Sequence, residues 1–189
     1  IRESLWTRRM NLGVQGKVLG IVGTGNIGAE MARLGTALGM EVIAWTFHPT
    51  PARAQQLGVR FVELDELLEQ ADFVSLHVAL TDETRHLIGK AQLARMKAQA
   101  VLLNGARGPV VDLDALAEAL DGGHLGGAGL DVFPDEPFTE DHPIKHCEQV
   151  VLTPHAADQT PEGVDLLNGG AVDNVIAFLE GKPQNNVAS

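Results

Sequence analysis

Three side chains in this sequence could do chemistry together: Arg107, Glu136 and His155. Arg107 follows an Asn104-Gly105 turn, where a guanidinium can fork onto a carboxylate through two parallel hydrogen bonds. His155 stands just past a short apolar run, behind Pro154, whose fixed φ stiffens its approach. Glu136 lies in the loop between them, where a carboxylate can hydrogen-bond an imidazole and favour its charged form. An anion fork with an acid–base pair suits proton transfer at a carbonyl that sits next to a carboxylate. Each residue also has a plainer reading: a surface ion pair for Arg107, a solvated loop acid for Glu136, a packing histidine for His155. Residue types alone leave both readings open.

What tips the balance is the stretch Lys17–Gly28. Val18–Val22 is apolar and fits a buried parallel strand. It breaks into Gly23-Thr24-Gly25-Asn26-Ile27-Gly28, and an Ala/Leu/Met-rich helix is expected from Ala29 to Leu38. Strand, glycine turn and helix in that order form the dinucleotide-binding fingerprint. Gly23 permits the tight turn, Gly25 lets backbone approach a pyrophosphate, and Gly28 lets the helix pack close to the strand. The amides at the helix start, with its positive dipole end, then face the phosphates. With a nicotinamide in place, hydride would pass to a 2-oxo acid while imidazolium His155 protonates its oxygen. Arg107 would hold the acid, and in the reverse direction neutral His155 would act as base.

The elements that position these groups alternate along the chain. Strands are expected at Glu41–Trp45, Val59–Val62, Ala71–His77, Ala100–Leu103, Gly127–Leu130 and Gln149–Leu152. Helices are expected from Pro49, over Leu64–Leu68 and Gln92–Met96, and from an Asp112 cap to Leu120. A proline-bearing loop runs from Val132 to Glu148. Thr160 with Pro161 opens a last helix that Gly169-Gly170 weakens and Gly181 and Pro183 end. A further short helix is expected over residues 1–12, with Leu5, Trp6 and Met10 on one side. The alternation implies an α/β fold, a doubly wound parallel sheet. Thr46, His77, Arg107, Asp131 and His155 then fall at strand ends, where such sheets bind ligands.

The second strand ends in Thr46-Phe47-His48, without the acid that commonly holds the adenosine ribose. No carboxylate would repel a ribose 2′-phosphate there, and His48 and Arg53 are near enough in sequence to accept one. The cofactor is therefore expected to be NAD or NADP, with NADP favoured. No metal is assigned. A formal charge of -11 over 189 residues argues against nucleic-acid or anionic-membrane partners. The single Cys147 allows no internal disulfide and suits a reducing, cytoplasmic setting. No apolar run reaches membrane-spanning length.

The sequence resembles the cofactor-binding domain of the D-isomer-specific 2-hydroxyacid dehydrogenases, a Rossmann-type NAD(P)-binding domain. The resemblance rests on Gly16–Gly28, His77-Val78-Ala79-Leu80-Thr81, Asn104–Gly108, Leu130–Phe133 with Asp135-Glu136-Pro137, and Thr153–Ala157, in family order. By that resemblance Arg107, Glu136 and His155 align with the family's catalytic arginine, glutamate and histidine. Asn26 and Ile27 match the pyrophosphate turn, and Thr46 the ribose position. Ala79 and Thr84 match the cofactor wall, Ala79 standing where the family usually has proline. Gly105 and Ala106 match residues along the cofactor, and Asp131 the residue that holds the nicotinamide amide. The Glu136–His155 pair speaks against the formate dehydrogenase branch, which uses glutamine. His77 fits the family motif too, with a structural role expected.

The resemblance implies a small 2-oxo or 2-hydroxy acid substrate such as glyoxylate or hydroxypyruvate, and a homodimer paired through this domain. Leu5, Trp6, Met10 and the loop around Phe138 are candidate contacts. It also implies a substrate domain that is missing here. Residues 13–158 would form the cofactor-domain core, and 159–189 a helix returning to the absent domain. A fragment of that kind is expected to bind nucleotide weakly and turn over little substrate. A nucleotide-sensing scaffold similar to the family's corepressors is the alternative, because those keep the same triad.

Overall fold

In the computed structural model, residues 13–139 and 141–185 are described. Their strands form a seven-stranded, all-parallel sheet: β1 (Val18–Val22), β2 (Glu41–Trp45), β3 (Arg60–Phe61), β4 (Phe73–Leu76), β5 (Val101–Asn104), β6 (Gly127–Leu130) and β7 (Val150–Leu152). The order is β3-β2-β1-β4-β5-β6-β7. The chain leaves β1 in one direction to β2 and β3 and in the other to β4 through β7, so the order reverses beside β1. That reversal opens a crevice outside the carboxyl ends of β1 and β4.

Alternate residues of β1 and β2 feed two cores. Leu19, Ile21, Val42 and Ala44 pack with Ala32 of α1 (Asn26–Ala37) on one face. Val22 and Ile43 join Leu67 and Leu68 of α3 (Leu64–Gln70), Leu93 of α4 (Lys90–Arg95) and Leu116 of α5 (Leu113–Asp121) on the other. A sheet buried on both faces needs this near-continuous apolar character. Thr50 caps α2 (Pro51–Leu57), accepting from the Arg53 N–H at 3.2 Å, and Asp112 caps α5, accepting from Ala115 at 3.1 Å.

Residues up to Pro154 form one compact unit and those from His155 a second. The second unit is built on α6 (Pro161–Leu179), capped by Thr160, whose hydroxyl accepts from the Gly163 N–H at 3.0 Å. Gly169 and Gly170 do not interrupt α6, which runs unbroken to Leu179. Helix propensity disfavours glycine by about 1 kcal/mol per residue, too little to break a nineteen-residue helix. None of its residues is buried, and Leu166, Phe178 and Leu179 are among its exposed apolar side chains. Among the described residues, no helix is long and apolar enough to cross a membrane. The helix expected over residues 1–12, with Leu5, Trp6 and Met10, lies outside the described residues.

Candidate active site

The glycine turn is built on two positions that only glycine can occupy. Gly23 holds φ at +95°, and a Cβ there would stand 2.8 Å from the His77 carbonyl carbon. Helix α1 begins at Asn26, three residues before the expected Ala29, so Asn26, Ile27 and Gly28 form its first turn. A Cβ on Gly28 would overlap the Gly23 carbonyl oxygen, so only glycine lets α1 start this close to β1. Gly25, the residue before α1, has nothing within 4 Å of its Cβ position and no side chain that could cap the helix. The first-turn amides of a helix have no partner within it, and here they border open space with the positive dipole end behind them.

On the β2 side, Thr46 is half-buried and the Phe47 ring turns back onto Trp45, centroids 4.8 Å apart. His48 is exposed. Arg53 reaches back to the glycine turn: its Nη2 donates to the Thr24 carbonyl at 2.8 Å and its Nη1 to Gln56 Oε1 at 2.9 Å. Among the described residues Arg33, Arg60 and Arg95 each pair with a carboxylate, and Arg53 does not.

Past β4, the Ser75 Oγ and His77 Nε2 lie 2.9 Å apart, Ser75 being only 3% exposed. Burial pushes the His77 imidazole below its ordinary pKa, so it stays neutral under the glycine turn. The neutral form is the one the fold favours. The matching stability is present above the unfolded pKa of about 6.5 and is lost as pH falls below it. Thermal melts taken from about pH 7.5 to about pH 5 should show a decline in the wild-type chain that His77→Gln flattens. Ala79 is exposed in the segment that follows. Thr84 is 1% exposed: its hydroxyl donates to the Ala79 carbonyl and accepts from the Thr81 N–H, both at 2.7 Å. Thr84 therefore fastens from inside the loop that carries Ala79.

Strand β5 delivers Arg107 through a turn that a buried side chain holds. Asn104, 2% exposed, accepts from the Ala106 N–H at 3.1 Å and donates to the Arg107 carbonyl at 3.0 Å. Gly105 is exposed, Ala106 is buried, and the exposed Arg107 donates from Nη1 to the Ala106 carbonyl at 2.6 Å. A 3₁₀ turn, Gly108–Val110, follows. Its backbone is tied to the segment after Thr84 by bonds from His86 N–H to Pro109 and from Ile88 N–H to Val110.

Gly108 joins the arginine loop to the glutamate loop. A Cβ on it would overlap the backbone of the Phe133–Pro134 peptide, so the two loops touch main chain to main chain. Within the second loop the Phe133 N–H donates to Glu136 Oε1 at 2.9 Å. Asp131, at the end of β6, takes a hydrogen bond from the Thr153 hydroxyl, and its own N–H donates to the Asn104 carbonyl at 3.0 Å. The structure thus brings Arg107, Glu136 and Asp131 together on one scaffold. His155 opens the second unit, exposed and in the left-handed region at φ 52°.

Sequence reasoning gave no role to Asn104, Gly108, Ser75 or Thr153. The only signal for them was their place inside or beside quoted motifs. Phe138, a candidate subunit contact from sequence, is packed against the main core within the chain, its ring stacked on Phe133. A separate cavity of about 970 Å³ lies between α5 and residues 141–149, lined in part by His142, His146 and Cys147. It contains none of the residues above. Among the described residues no group of three or more His, Cys, Asp or Glu is placed to hold a metal ion.

Comparison with known proteins agrees with this geometry. Residues 1–157 match the family described as D-isomer specific 2-hydroxyacid dehydrogenase, NAD binding domain. A glyoxylate reductase of Korarchaeum cryptofilum is 46% identical over 97% of this chain and 56% of its own length. A D-3-phosphoglycerate dehydrogenase of Mycobacterium tuberculosis is 43% identical over 96% of this chain and 35% of its own length. The crystal structure of a glyoxylate reductase from Paecilomyes thermophila superposes with a TM-score of 0.89 at 36% identity, covering 95% of this chain and 54% of that one. The chain thus spans about half the length of the reductases it matches. It belongs to the D-isomer specific 2-hydroxyacid dehydrogenase family, whose NAD-binding domain its sheet and glycine turn reproduce.

Proposed function

We propose that this chain is the cofactor-binding and catalytic half of an NAD(P)-dependent reductase of small 2-oxo acids, glyoxylate or hydroxypyruvate among them. The supporting observation is the main-chain contact at Gly108, which fixes the Arg107 loop against the Glu136 loop. The glyoxylate reductases are nearly twice as long, and we infer that their remaining length corresponds to a domain that supplies the opposite wall of the cleft.

In this reading the first-turn amides of α1 at Asn26 and Ile27 hold the pyrophosphate, and Asp131 holds the nicotinamide amide. Thr46 lies toward the ribose, and Ala79, Gly105 and Ala106 line the cofactor's length. The nicotinamide supplies the hydride when bound. Arg107 forks onto the substrate carboxylate and polarises the neighbouring carbonyl. His155 gives a proton to the carbonyl oxygen in reduction and takes it back in oxidation, and Glu136 orients its imidazole and favours the charged form. Steady-state reduction of glyoxylate by the full-length protein, with wild type compared against Arg107→Ala, tests the assignment. A KM for glyoxylate that leaves Arg107→Ala unaffected would remove the arginine from the role.

NADP is the favoured cofactor in this reading. Arg53, anchored on the Thr24 carbonyl without a carboxylate partner, is the group placed to accept a 2′-phosphate. A charge-assisted hydrogen bond is worth roughly 1.5–3 kcal/mol. Arg53→Ala should therefore weaken NADPH binding by roughly 10- to 100-fold and leave NADH within about threefold. Equal losses for the two nucleotides in a calorimetric titration would place Arg53 in the turn's architecture instead. The family's pairing through this domain suggests a homodimer, which sedimentation velocity of the full-length protein would show.

A further inference from the structure

The loop that carries Glu136 is closed by aromatic rings. Phe133 and Phe138 flank it, stacked with centroids 4.5 Å apart and planes at 7°. Phe133 is 8% exposed and belongs to the main core, so one side of the stack is anchored. Lys145 covers Phe138 from the 3₁₀ turn Pro143–His146, its Nζ lying 4.5 Å from the ring centroid and donating to the Phe138 carbonyl at 3.3 Å. The His142 ring lies 5.9 Å from Phe138. That histidine is fixed in turn, accepting at Nδ1 from the Ile144 N–H and placing Nε2 3.1 Å from Asp114 Oδ1 on α5.

Between the stacked rings stand only Pro134, Asp135, Glu136 and Pro137. Neither proline has an N–H or a free φ, so the loop's shape depends on where its two ends are held. The ring stack holds those ends, and within it the Phe133 N–H reaches the Glu136 carboxylate. We propose that Phe138, clamped by Phe133, His142 and Lys145, is a positioning residue for Glu136. The proposal rests on the reading of Glu136 as the partner of His155, and it adds what keeps that carboxylate in place. Losing the ring would free the loop's end and let water replace the Phe133 N–H at the carboxylate.

The test is the His155 imidazole titration followed by proton NMR in the chain, assigned by its absence in His155→Ala. Glu136→Gln should lower the His155 pKa. Phe138→Ala should lower it by roughly half the Glu136→Gln shift or more, and Phe138→Tyr, which keeps the stacked ring, should restore the wild-type value. A lowered value in Glu136→Gln with a wild-type value in Phe138→Ala would overturn the clamp while leaving the Glu136 reading intact. No shift in Glu136→Gln would overturn that reading, and the proposal with it. Should Phe138→Ala fail to melt cooperatively, Phe138→Leu carries the comparison, because it keeps bulk without the stacked ring. A wild-type His155 value in that variant would likewise overturn the clamp.

Discussion

Gly28→Ala is expected to abolish measurable dinucleotide binding by this chain. The new methyl would overlap the Gly23 carbonyl oxygen, which is main chain and has no rotamer to adopt. Helix α1 would have to move away from β1, taking with it the first-turn amides at Asn26 and Ile27. Misplacement by about 1 Å is enough to cost on the order of 100-fold where donors must meet a fixed group. Overpacking of this kind also destabilises by roughly 1–3 kcal/mol, so the melting midpoint should fall as well. Gly25→Ala separates the two effects. Its Cβ position meets nothing within 4 Å and its φ is an ordinary -66°, so the fold should accept the methyl. The same methyl would occupy the approach to the phosphates, so binding should fall while the melting midpoint holds. Equal loss of stability in the two variants would mean that the turn's glycines serve packing alone.

The second large effect is expected at His155. In the full-length protein His155→Gln should lower kcat by about 10²- to 10⁴-fold, the usual worth of a positioned general acid–base group. Cofactor affinity should stay within about twofold, since an amide removes the proton relay without touching the glycine turn. Glu136→Gln should lower kcat less and shift the pH dependence of kcat/KM, because it alters the histidine's charge balance and not its presence. A kcat that survives His155→Gln would require another proton donor.

Much of the fold was legible because buried parallel strands leave a strong trace. Val18–Val22, Glu41–Trp45 and Gly127–Leu130 lie where their apolar runs placed them. The capping signals at Asp112 and Thr160 also hold, each with its side chain on the backbone N–H three residues on. Local pattern was less able to locate helix starts. Asn26-Ile27-Gly28 reads as a turn by propensity, yet it is helical because Gly28 can sit against Gly23. The 3₁₀ turn at Pro143–His146 lies inside the expected Val132–Glu148 loop, since proline hides so short a helix from any periodicity. The helix opened by Thr160 and Pro161 runs through Gly169-Gly170 without a break.

The candidate site residues stand out as motifs, and the parts that hold them do not. Asn104 looks like an ordinary turn residue until its buried amide is seen spanning the Ala106 N–H and the Arg107 carbonyl. Arg53 stands 29 residues from Thr24, and no spacing rule connects a helix residue to a carbonyl that far away. The packing of Phe138 against Phe133 and Lys145 has no sign in the sequence either. Such links are tertiary, made where distant segments meet, and only three-dimensional placement exposes them.

The most direct measurement is calorimetric titration of this chain with NADH and NADPH at one salt concentration, with Gly28→Ala alongside. Saturable binding of at least one nucleotide at a single site, absent in Gly28→Ala, is the predicted result, with NADPH the tighter of the two. No binding of either nucleotide by a wild-type chain that melts cooperatively, or equal binding by Gly28→Ala, would contradict the claim that the glycine turn is a dinucleotide site.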